Sequence, residues 1–313
     1  MEKDAKIYVA GHKGLVGSAI VRNLNKRGFY NIVGRSHDEL DLTNQAAVNN
    51  FFDEEKPDYV FLCAAKVGGI HINSIQPADF MRINLAIETN IIHSSYTHNV
   101  KKLLFMGSGC IYPRIVPQPI KESYLLTAEL EKTNEAYAIA KIAGLKMCEF
   151  YNIQYGTNYI SVMPCNLYGP GDNYNPVSSH VIPALLRKFH EAKLNNAKNV
   201  TLWGTGSAMR EFMHIDDIAD ASVFLMENYN ENEWVNIGCG EDMKISELAN
   251  VLKKVVGFNG DIVYDTTMPD GTPRKLLDSS KLFSMGWKPS ISLEDGLKQT
   301  YEDYKLHMND YRK

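Results

Sequence analysis

A tyrosine and a lysine four residues apart, Tyr137 and Lys141, are the pair in this sequence with the plainest chemical use. On a helix, this spacing places both side chains on one face. A nearby ammonium lowers the pKa of a phenol, so the tyrosine can exchange a proton near neutral pH, and the lysine can also hold a ribose. Ser108 follows a predicted strand, where its hydroxyl can either polarise a substrate carbonyl or simply close a turn. Together the three residues predict a carbonyl-reducing site.

A glycine-rich turn directly follows one predicted strand and opens a helix. Its sequence is Gly11-His12-Lys13-Gly14-Leu15-Val16-Gly17. Glycines permit the tight turn and let the backbone approach a pyrophosphate, while the helix N-terminus supplies amide donors and a positive dipole. The placement between a strand and a helix favours a dinucleotide site over a plain glycine-rich turn.

The end of the second predicted strand indicates which dinucleotide binds. Sites for NAD usually carry an acid here that binds the ribose hydroxyls, whereas this chain carries Arg35. A guanidinium suits a 2′-phosphate, so NADP(H) is expected, with Lys13 assisting; the alternative for Arg35 is a solvated surface charge. Asp41 and Leu42 follow and are expected near the adenine, although Asp41 can equally cap the next helix.

These residues need a sheet to position them. Near-continuous apolar runs at residues 7–10, 31–34, 59–63, 103–106 and 159–163 are typical of parallel strands buried on both faces. The segments between them are long enough for crossover helices. The pattern therefore predicts an α/β fold with a Rossmann-like, doubly wound parallel sheet.

The pattern changes after Met163. Residues 164–176 are rich in Pro, Gly and Asn and predict a loop; residues 181–192 predict a helix, and residues 212–226 another helix that returns to the first domain. The remainder mixes short elements with a loop at 269–275. We expect an NADP-binding domain over 1–165 with a returning segment about 212–235. A smaller C-terminal α/β lobe over 166–211 and 236–313 would bind the substrate.

The composition argues against several classes of binding partner. The 313 residues carry a net charge of -4, which gives no general attraction for nucleic acid or anionic lipid. The five cysteines, at 63, 110, 148, 165 and 239, lack zinc-ligand or redox-motif spacing, so no metal is expected and free thiols in a reducing cytoplasm are the simplest interpretation. No apolar run reaches the roughly 20 residues that a membrane span requires, so no membrane partner is expected.

Taken together, the motifs resemble the extended short-chain dehydrogenases, and within them the GDP-L-fucose synthases. The GxxGxxG spacing of the glycine turn is the short-chain dehydrogenase form. The resemblance extends over nearly the whole chain and rests on AGHKG (10–14), AAKVGGI (64–70), GSGCIYP (107–113), YAIAKIAG (137–144), NLYGP (166–170), SHVIP (179–183) and PDGTPRK (269–275). The last motif is far more diagnostic than any glycine triplet.

The resemblance implies an enzyme that epimerises C3 and C5 of GDP-4-keto-6-deoxy-D-mannose and then reduces C4 with NADPH. Ser108, Tyr137 and Lys141 match the reductive triad, and Cys110 and His180 match the acid/base pair of the epimerisation. Taken alone, Cys110 could be a buried structural thiol and His180 a helix-cap neighbour. Protons beside a carbonyl are acidic, so a thiolate and an imidazole can remove and return them.

The same resemblance implies the binding residues and a homodimer. Those expected to bind the cofactor are Gly11 to Gly17, Arg35, Asp41, Leu42, Ala64, Lys141, Pro164, Asn166, Leu167 and His180. Those expected to bind the nucleotide sugar are Lys188, Trp203, Arg210 and Asp278. Trp203 either stacks on guanine or is a core or hinge aromatic, and Arg274 and Lys275 either line the cleft or are solvated.

One departure leaves the sugar open. The family has two adjacent serines before the cysteine, whereas this chain has Ser108-Gly109-Cys110. A C4 reductase of a related GDP-6-deoxy-4-keto sugar, such as a heptose, without epimerase activity is therefore a second hypothesis. A regulatory protein that binds the cofactor without turnover is a third, and the intact Ser108, Tyr137 and Lys141 argue against it.

Overall fold

Four sheets and ten helices make up the part of the chain that a computed structural model describes, namely residues 1–176, 178–268 and 270–308. The strands are β1 (Ile7–Ala10), β2 (Ile32–Val33), β3 (Tyr59–Leu62), β4 (Lys102–Met106), β5 (Tyr159–Pro164), β6 (Asn166–Tyr168), β7 (Asn199–Trp203), β8 (Met209–Arg210), β9 (Phe212–His214), β10 (Val235–Ile237), β11 (Met243–Lys244), β12 (Asp261–Asp265) and β13 (Arg274–Lys275). The helices are α1 (Leu15–Lys26), α2 (Gln45–Glu55), α3 (Ile70–Ile75), α4 (Pro77–Thr97), α5 (Glu135–Tyr155), α6 (Val181–Leu194), α7 (Ile215–Asn228), α8 (Ile245–Val256), α9 (Ser280–Ser284) and α10 (Leu293–His307).

The main sheet has six strands in the order β10-β5-β4-β3-β1-β2, and all of its strand pairs are parallel. The chain runs from β1 to β2 at one edge and then crosses to β3 on the other side of β1. Ligands of such sheets bind outside the carboxyl ends of the strands at this point of reversal. The prediction of a Rossmann-like, doubly wound parallel sheet is confirmed.

The strands of this sheet are apolar because helices cover both of its faces. In β1, Ile7 and Val9 pack into one buried cluster, and Tyr8 and Ala10 pack into the cluster on the opposite face. Successive side chains of a strand point to opposite faces, so an unbroken apolar run is what two covered faces require. The carboxyl ends of the strands are thereby held on a rigid platform.

The rest of the chain forms a smaller unit with its own core. Strand β7 pairs with β12, β8 lies between β11 and β13, and β6 pairs with β9. Helices α6, α8 and α10 contribute Phe189, Leu252 and Leu297 to a third buried cluster. By contrast, Leu282 and Trp287 pack into the core of the main sheet, and β10 is one of its strands. The main sheet therefore recruits more of the C-terminal sequence than the predicted segment 212–235.

Three sequence predictions need correction. The predicted loop at 164–176 contains strand β6, which pairs with β9, and Pro164 still belongs to β5. Residues 212–226 were expected to be helical throughout, but Phe212–His214 is strand β9, because it pairs in parallel with β6 before α7 begins. The predicted loop at 269–275 contains the short strand β13, and Pro269 lies outside the described residues. No helix within the described ranges is long and apolar enough to cross a membrane.

Candidate active site

The glycine turn brings the ends of β1 and β3 together with the start of α1. Gly11 has φ +84°, and a Cβ atom there would lie 2.8 Å from the backbone nitrogen of Ala64. A Cβ at Gly17 would lie 2.2 Å from the carbonyl oxygen of Gly11. Only glycine fits either position. Because Gly14 caps α1 without a side-chain hydrogen bond, the first amides of that helix remain available to an anion.

Positive charge gathers beside this turn at the end of β2. The Arg35 guanidinium donates to the carbonyl oxygen of Gly34 at 3.0 Å, forms an ion pair with Glu55 and lies 5.5 Å from the centre of the Phe51 ring. Burial, and then the charges of Lys13 and Arg35, lower the pKa of His12. Arg35 is therefore held by Glu55 rather than freely solvated. Both Arg35 and Lys13 lie within electrostatic reach of His12 and Glu39, so the two cations are on the same side of the glycine turn.

Asp41 and Leu42 lie further along the same side. The Asp41 carboxylate accepts from the backbone nitrogen and the hydroxyl of Thr43, at 2.9 and 2.8 Å. Helix α2 is capped by Asn44, which accepts from the backbone nitrogen of Ala47 at 3.1 Å. The alternative in which Asp41 caps that helix is therefore wrong. The Leu42 carbonyl accepts from Asn90 at 2.9 Å, which fixes this loop to α4.

The predicted reductive triad comes together where β4 meets α5. Lys141 donates to the carbonyl oxygen of Met106 at 3.0 Å, and its Nζ lies 6.0 Å from the centre of the Tyr137 ring. Ser108 follows β4 and accepts from the backbone nitrogen of Cys110 at 3.2 Å. The Ser108 side chain also lies near Tyr137, where it lowers the pKa of the phenol. Ser108 thus shares one site with a Tyr137–Lys141 pair that begins 29 residues later.

The expected effect of Lys141 on the phenol is not what the structure shows. Burial raises the pKa of Tyr137, the nearby Cys110 and Glu88 raise it further, and only the hydrogen bond to Ser108 lowers it. The reason is that Glu88 lies 3.1 Å from the Lys141 ammonium and offsets its charge. The structure therefore keeps the phenol protonated, the state that a proton donor requires.

An open cleft lies beside Ser108 of this triad. It is lined by Ser108, Gly109, Cys110, Pro164, Cys165, Asn166, Lys275 and Leu277. Pro164 ends β5, while Asn166 and Leu167 lie on β6, so the loop between these strands forms one wall. Lys275 lines the cleft, whereas Arg274 forms an ion pair with Asp242 at 2.5 and 3.0 Å. Of these two cations, only Lys275 is at the site.

Cys110 is a partly exposed thiol with a polar neighbour. It lines the cleft, and its sulfur accepts a hydrogen bond from Asn134 at 3.3 Å. Burial lowers the pKa of Arg210, and nearby Cys110 and Glu131 raise it, so the guanidinium lies within electrostatic reach of the sulfur. Cys110 is partly exposed, so it is not a fully buried thiol.

His180 lies at the start of α6, where it occupies the cap position without making a side-chain cap bond. The residue is solvent-exposed, and partial desolvation by the surrounding chain lowers its pKa, which favours the neutral imidazole. The preceding backbone is tied to the segment after β3, because Gly69 donates to the carbonyl oxygen of Ser178 at 2.9 Å. His180 is not among the described residues that line the Cys110 cleft.

A second group of predicted residues lies on the smaller unit. Trp203, at the end of β7, is 62% exposed, so it is not a core aromatic. The Nζ of Lys188 lies 5.7 Å from the centre of its ring. Arg210, which interacts with Cys110, also lies near Gly271, since a Cβ there would be 3.6 Å from the guanidinium. Arg210 thus connects the Cys110 cleft to the loop that follows β12.

Asp278 lies just before α9. Its backbone nitrogen donates to the carbonyl oxygen of Ile120, and its side chain accepts from the nitrogen of Ser280 at 3.0 Å, so it anchors the start of α9. The acid beside the turn after Trp203 is Asp270, which accepts from the backbone nitrogen and hydroxyl of Thr205 at 2.7 and 2.8 Å. The sequence reasoning missed Asp270, although it belongs to the diagnostic motif at 269–275.

Comparison with known proteins identifies the family. The family model described as NAD dependent epimerase/dehydratase matches residues 7–238. The chain belongs to this family. An epimerase/dehydratase relative from Arabidopsis thaliana, a putative GDP-L-fucose synthase, is 64% identical over 304 residues that cover 97% of this chain and 93% of its own. The GDP-L-fucose synthase of Escherichia coli K12 is 53% identical, with 98% of both chains covered. The resemblance inferred from the motifs is confirmed.

Solved structures of this epimerase/dehydratase family include a GDP-mannoheptose C4 reductase from Campylobacter jejuni with NADP bound. It superimposes with a TM-score of 0.89 at 47% identity and covers 97% of this chain and 99% of its own. The fold and the order of elements around the site are therefore shared over the whole described chain.

The position of Arg35 allows a direct test of which cofactor the protein prefers. Arg35→Ala should weaken NADPH binding about tenfold or more and leave NADH binding nearly unchanged, since a charge-assisted hydrogen bond contributes about 1.5–3 kcal/mol. Fluorescence titration of both cofactors measures this. Arg22→Ala, which removes an exposed arginine paired with Asp216, is the control and should change neither. Equal affinity of the native chain for NADPH and NADH would contradict the assignment.

Proposed function

We propose that the protein is an NADPH-dependent epimerase-reductase that converts GDP-4-keto-6-deoxy-D-mannose to GDP-L-fucose. The observation that carries this is that Ser108 and Cys110 line one cleft, while Tyr137 lies within electrostatic reach of Cys110 and beside Lys141. One site thus holds a thiol able to exchange a proton next to a keto group and a phenol able to protonate the keto oxygen. The identity to GDP-L-fucose synthases over nearly the full chain supports the same substrate.

The residues at the carboxyl edge of the main sheet fit NADPH. The Gly11 and Gly17 positions, where any Cβ would collide, leave space for a pyrophosphate against the start of α1. Lys13 and Arg35 would hold the 2′-phosphate, with Asp41, Leu42 and Ala64 along the adenosine half. Pro164, Asn166, Leu167, His180 and Lys141 would surround the nicotinamide half. When bound, NADPH supplies the hydride that arrives at C4.

The epimerisation would use Cys110 and His180. Removing a proton from C3 or C5 gives an enolate, because both carbons adjoin the C4 ketone. Cys110, with Arg210 near its sulfur, would remove the proton, and a His180 held neutral at its lowered pKa would pass one on. Return of the proton to the opposite face of each carbon inverts its configuration.

The reduction would use Tyr137 as the acid. As hydride reaches C4, the carbonyl oxygen gains negative charge, and the phenol donates its proton to that oxygen. Burial, which raises the pKa of Tyr137, keeps the phenol protonated until the C4 oxygen accepts the proton. The Ser108 hydroxyl, which lies near Tyr137, would donate a hydrogen bond to the same oxygen.

The GDP moiety would lie along the smaller unit. Exposed Trp203 with Lys188 beside it offers a stacking surface and a cation for the guanine end. Arg210, between that end and Cys110, would bind the diphosphate. In this division residues 1–165, with 212–235, bind the cofactor and residues 166–211 and 236–313 the nucleotide sugar. Asp278, whose carboxylate also accepts from the backbone nitrogen of Ser280 at the start of α9, would complete the set that binds the nucleotide sugar.

A second candidate is C4 reduction of a related GDP-4-keto sugar without epimerisation. The observation that favours it is Gly109, which lines the cleft where GDP-L-fucose synthases have a serine. A Cβ at this position would lie 3.1 Å from the carbonyl oxygen of Pro164, so the glycine widens the site and removes a hydroxyl. The similar Campylobacter jejuni protein is named as a GDP-mannoheptose C4 reductase. Retention of Cys110 and His180 favours the epimerase-reductase.

We also propose a cytoplasmic homodimer. All five cysteines are free thiols, which fits a reducing compartment.

The dimer is proposed from an exposed apolar surface. Helix α5 leaves Phe150, Ile153 and Tyr155 at 57%, 68% and 44% exposure, and the Tyr155 ring stacks on Tyr96 of α4 at 4.2 Å. Such an apolar face on two adjacent helices suits a second copy of the chain. Light scattering of the native protein should give a molar mass twice that of the monomer. The Ile153→Glu variant should give the mass of the monomer.

Loss of the acid should abolish reduction while sparing binding. Tyr137→Phe should lower kcat for C4 reduction at least about a hundredfold, the usual scale for removing a general acid, with NADPH affinity nearly unchanged. Stopped-flow NADPH oxidation and cofactor titration measure the two quantities. Tyr124→Phe, on a short 3₁₀ helix, is a control for losing one phenol hydroxyl. Near-native turnover of the Tyr137 variant would rule out the assigned role.

Exchange of carbon-bound hydrogen separates the two candidate functions. With NADP⁺ present, so that reduction cannot proceed, the native enzyme should incorporate deuterium from D₂O at C3 and C5 of the 4-keto sugar. Cys110→Ser should lower this exchange sharply because a hydroxyl is a much weaker base than a thiolate, and His180→Asn should slow proton return. Cys239→Ser, a change to a partly exposed free thiol outside the proposed machinery, should have little effect. Native enzyme that reduces C4 yet exchanges no hydrogen supports the reductase-only candidate.

A further inference from the structure

An acidic side chain is buried directly beneath the predicted reductive triad. Glu88 lies in the middle of α4, and the residue is 1% exposed. Its Oε1 is 3.1 Å from Nζ of Lys141, and both side chains are 2% exposed. A buried carboxylate and a buried ammonium are costly unless each compensates the other. Neither the sequence motifs nor the proposed reaction assigned any role to this glutamate.

Glu88 depends on Lys141 for its compensation. Within the ranges that the structure describes, neither carboxylate oxygen accepts a well-aligned hydrogen bond, so the close ammonium is what offsets the buried charge. Lys141 itself also donates to the carbonyl oxygen of Met106 at 3.0 Å. The ammonium is therefore held between the end of β4 on one side and α4 on the other.

Helix α5 is shaped to admit this carboxylate. A Cβ atom at Gly144 would lie 2.7 Å from Oε2 of Glu88 and 2.5 Å from the Phe105 ring. Gly144 follows Lys141 by three residues, which places it on the same helical face as Tyr137 and Lys141. The missing side chain at 144 thus creates the space in which Glu88 reaches the catalytic lysine.

We propose that Glu88 is a positioning residue for the reduction: its carboxylate holds the Lys141 ammonium in place and offsets the positive charge that Tyr137 and the nicotinamide end of the cofactor experience. This inference rests on the proposed function, because it assigns Tyr137 and Lys141 their parts in the reduction. A carboxylate one contact away from the lysine acts on Tyr137 through electrostatics without touching the sugar.

The other titratable groups around this pair are few. Cys148, also on α5, and Cys63, after β3, both interact with Lys141, and burial raises the pKa of each thiol to about 12. Both thiols are therefore neutral over the working pH range. Tyr137 and Cys110 face the pair from the cleft side. Burial raises the pKa of Glu88, and the Lys141 ammonium lowers it. Glu88 and Lys141 are thus the close charged pair at this position, and Cys110 is replaced in the test because it interacts with Tyr137.

The first measurement needs no sugar. Glu88→Gln keeps the shape of the side chain and removes its charge, so the nicotinamide cation of NADP⁺ loses a compensating negative charge that NADPH does not need. The ratio of NADP⁺ to NADPH dissociation constants should rise about threefold or more. Glu149→Gln removes a partly exposed carboxylate, paired with Lys146, from the same helix as Lys141 and should leave the ratio unchanged. A ratio within experimental error of the native one for Glu88→Gln overturns the proposal.

The second measurement is the pH dependence of reduction, made in the Cys110→Ser background so that this thiol cannot contribute. Reduction needs a protonated Tyr137, so its rate falls as the phenol ionises at high pH. Without the Glu88 charge, the phenol should ionise more easily, and the alkaline fall of kcat/KM should occur about one pH unit lower. A merely structural role would lower kcat without moving the profile, and a profile that superimposes on that of the parent overturns the proposal.

A shorter acid covers the case in which Glu88→Gln does not fold. Glu88→Asp keeps the charge but withdraws it from Lys141, so both quantities should change in the same direction by a smaller amount, and unchanged values overturn the proposal. The two measurements also separate this inference from the proposed function. If the native chain binds NADPH but reduces no GDP-4-keto sugar, the proposed function fails, while the cofactor ratio still decides the role of Glu88 as a charge beside the cofactor.

Discussion

The buried ammonium of Lys141 is the contact on which the site depends. It donates to the carbonyl oxygen of Met106 at 3.0 Å, at the end of β4, and lies 3.1 Å from Glu88 on α4. A charge withdrawn from water must be compensated, so these partners fix where α5 can lie. Tyr137 is one helical turn before Lys141, and Ser108 comes two residues after Met106. Holding the lysine therefore also sets the distance between the phenol and the serine hydroxyl.

The second constraint is the close backbone contact at the glycine turn, at the carboxyl ends of β1 and β3. The backbones at Gly11, Ala64 and Gly17 approach so closely that no side chain fits between them. This contact pulls the start of α1 against the ends of β1 and β3, which is where a doubly wound sheet binds a dinucleotide. The phosphates and the reacting groups are thus positioned by two separate contacts of one rigid sheet. The smaller unit then needs only to present Arg210 and Trp203 to the far end of the substrate.

The sequence alone predicted the sheet, the glycine turn and the triad, because each is a local pattern tied to an apolar strand. It did not predict features set by long-range pairing. Phe212–His214 is a strand because β6 lies beside it, and Asp278 is committed to α9 by contacts with Ser280 and Ile120. The raised pKa of Tyr137 follows from burial and from Glu88, 49 positions earlier in the chain. The one local sign of that glutamate is Gly144, whose missing side chain makes room for it.

The central claim is that one cleft performs both proton exchange and reduction, and product analysis of the native enzyme tests it most directly. GDP-4-keto-6-deoxy-D-mannose and NADPH would be incubated with the enzyme in D₂O, and the product characterised by NMR and mass spectrometry. The account predicts a sugar with the L-fucose configuration that carries deuterium at C3 and C5 and protium from NADPH at C4. A C4-reduced product with C3 and C5 neither inverted nor deuterated would contradict it.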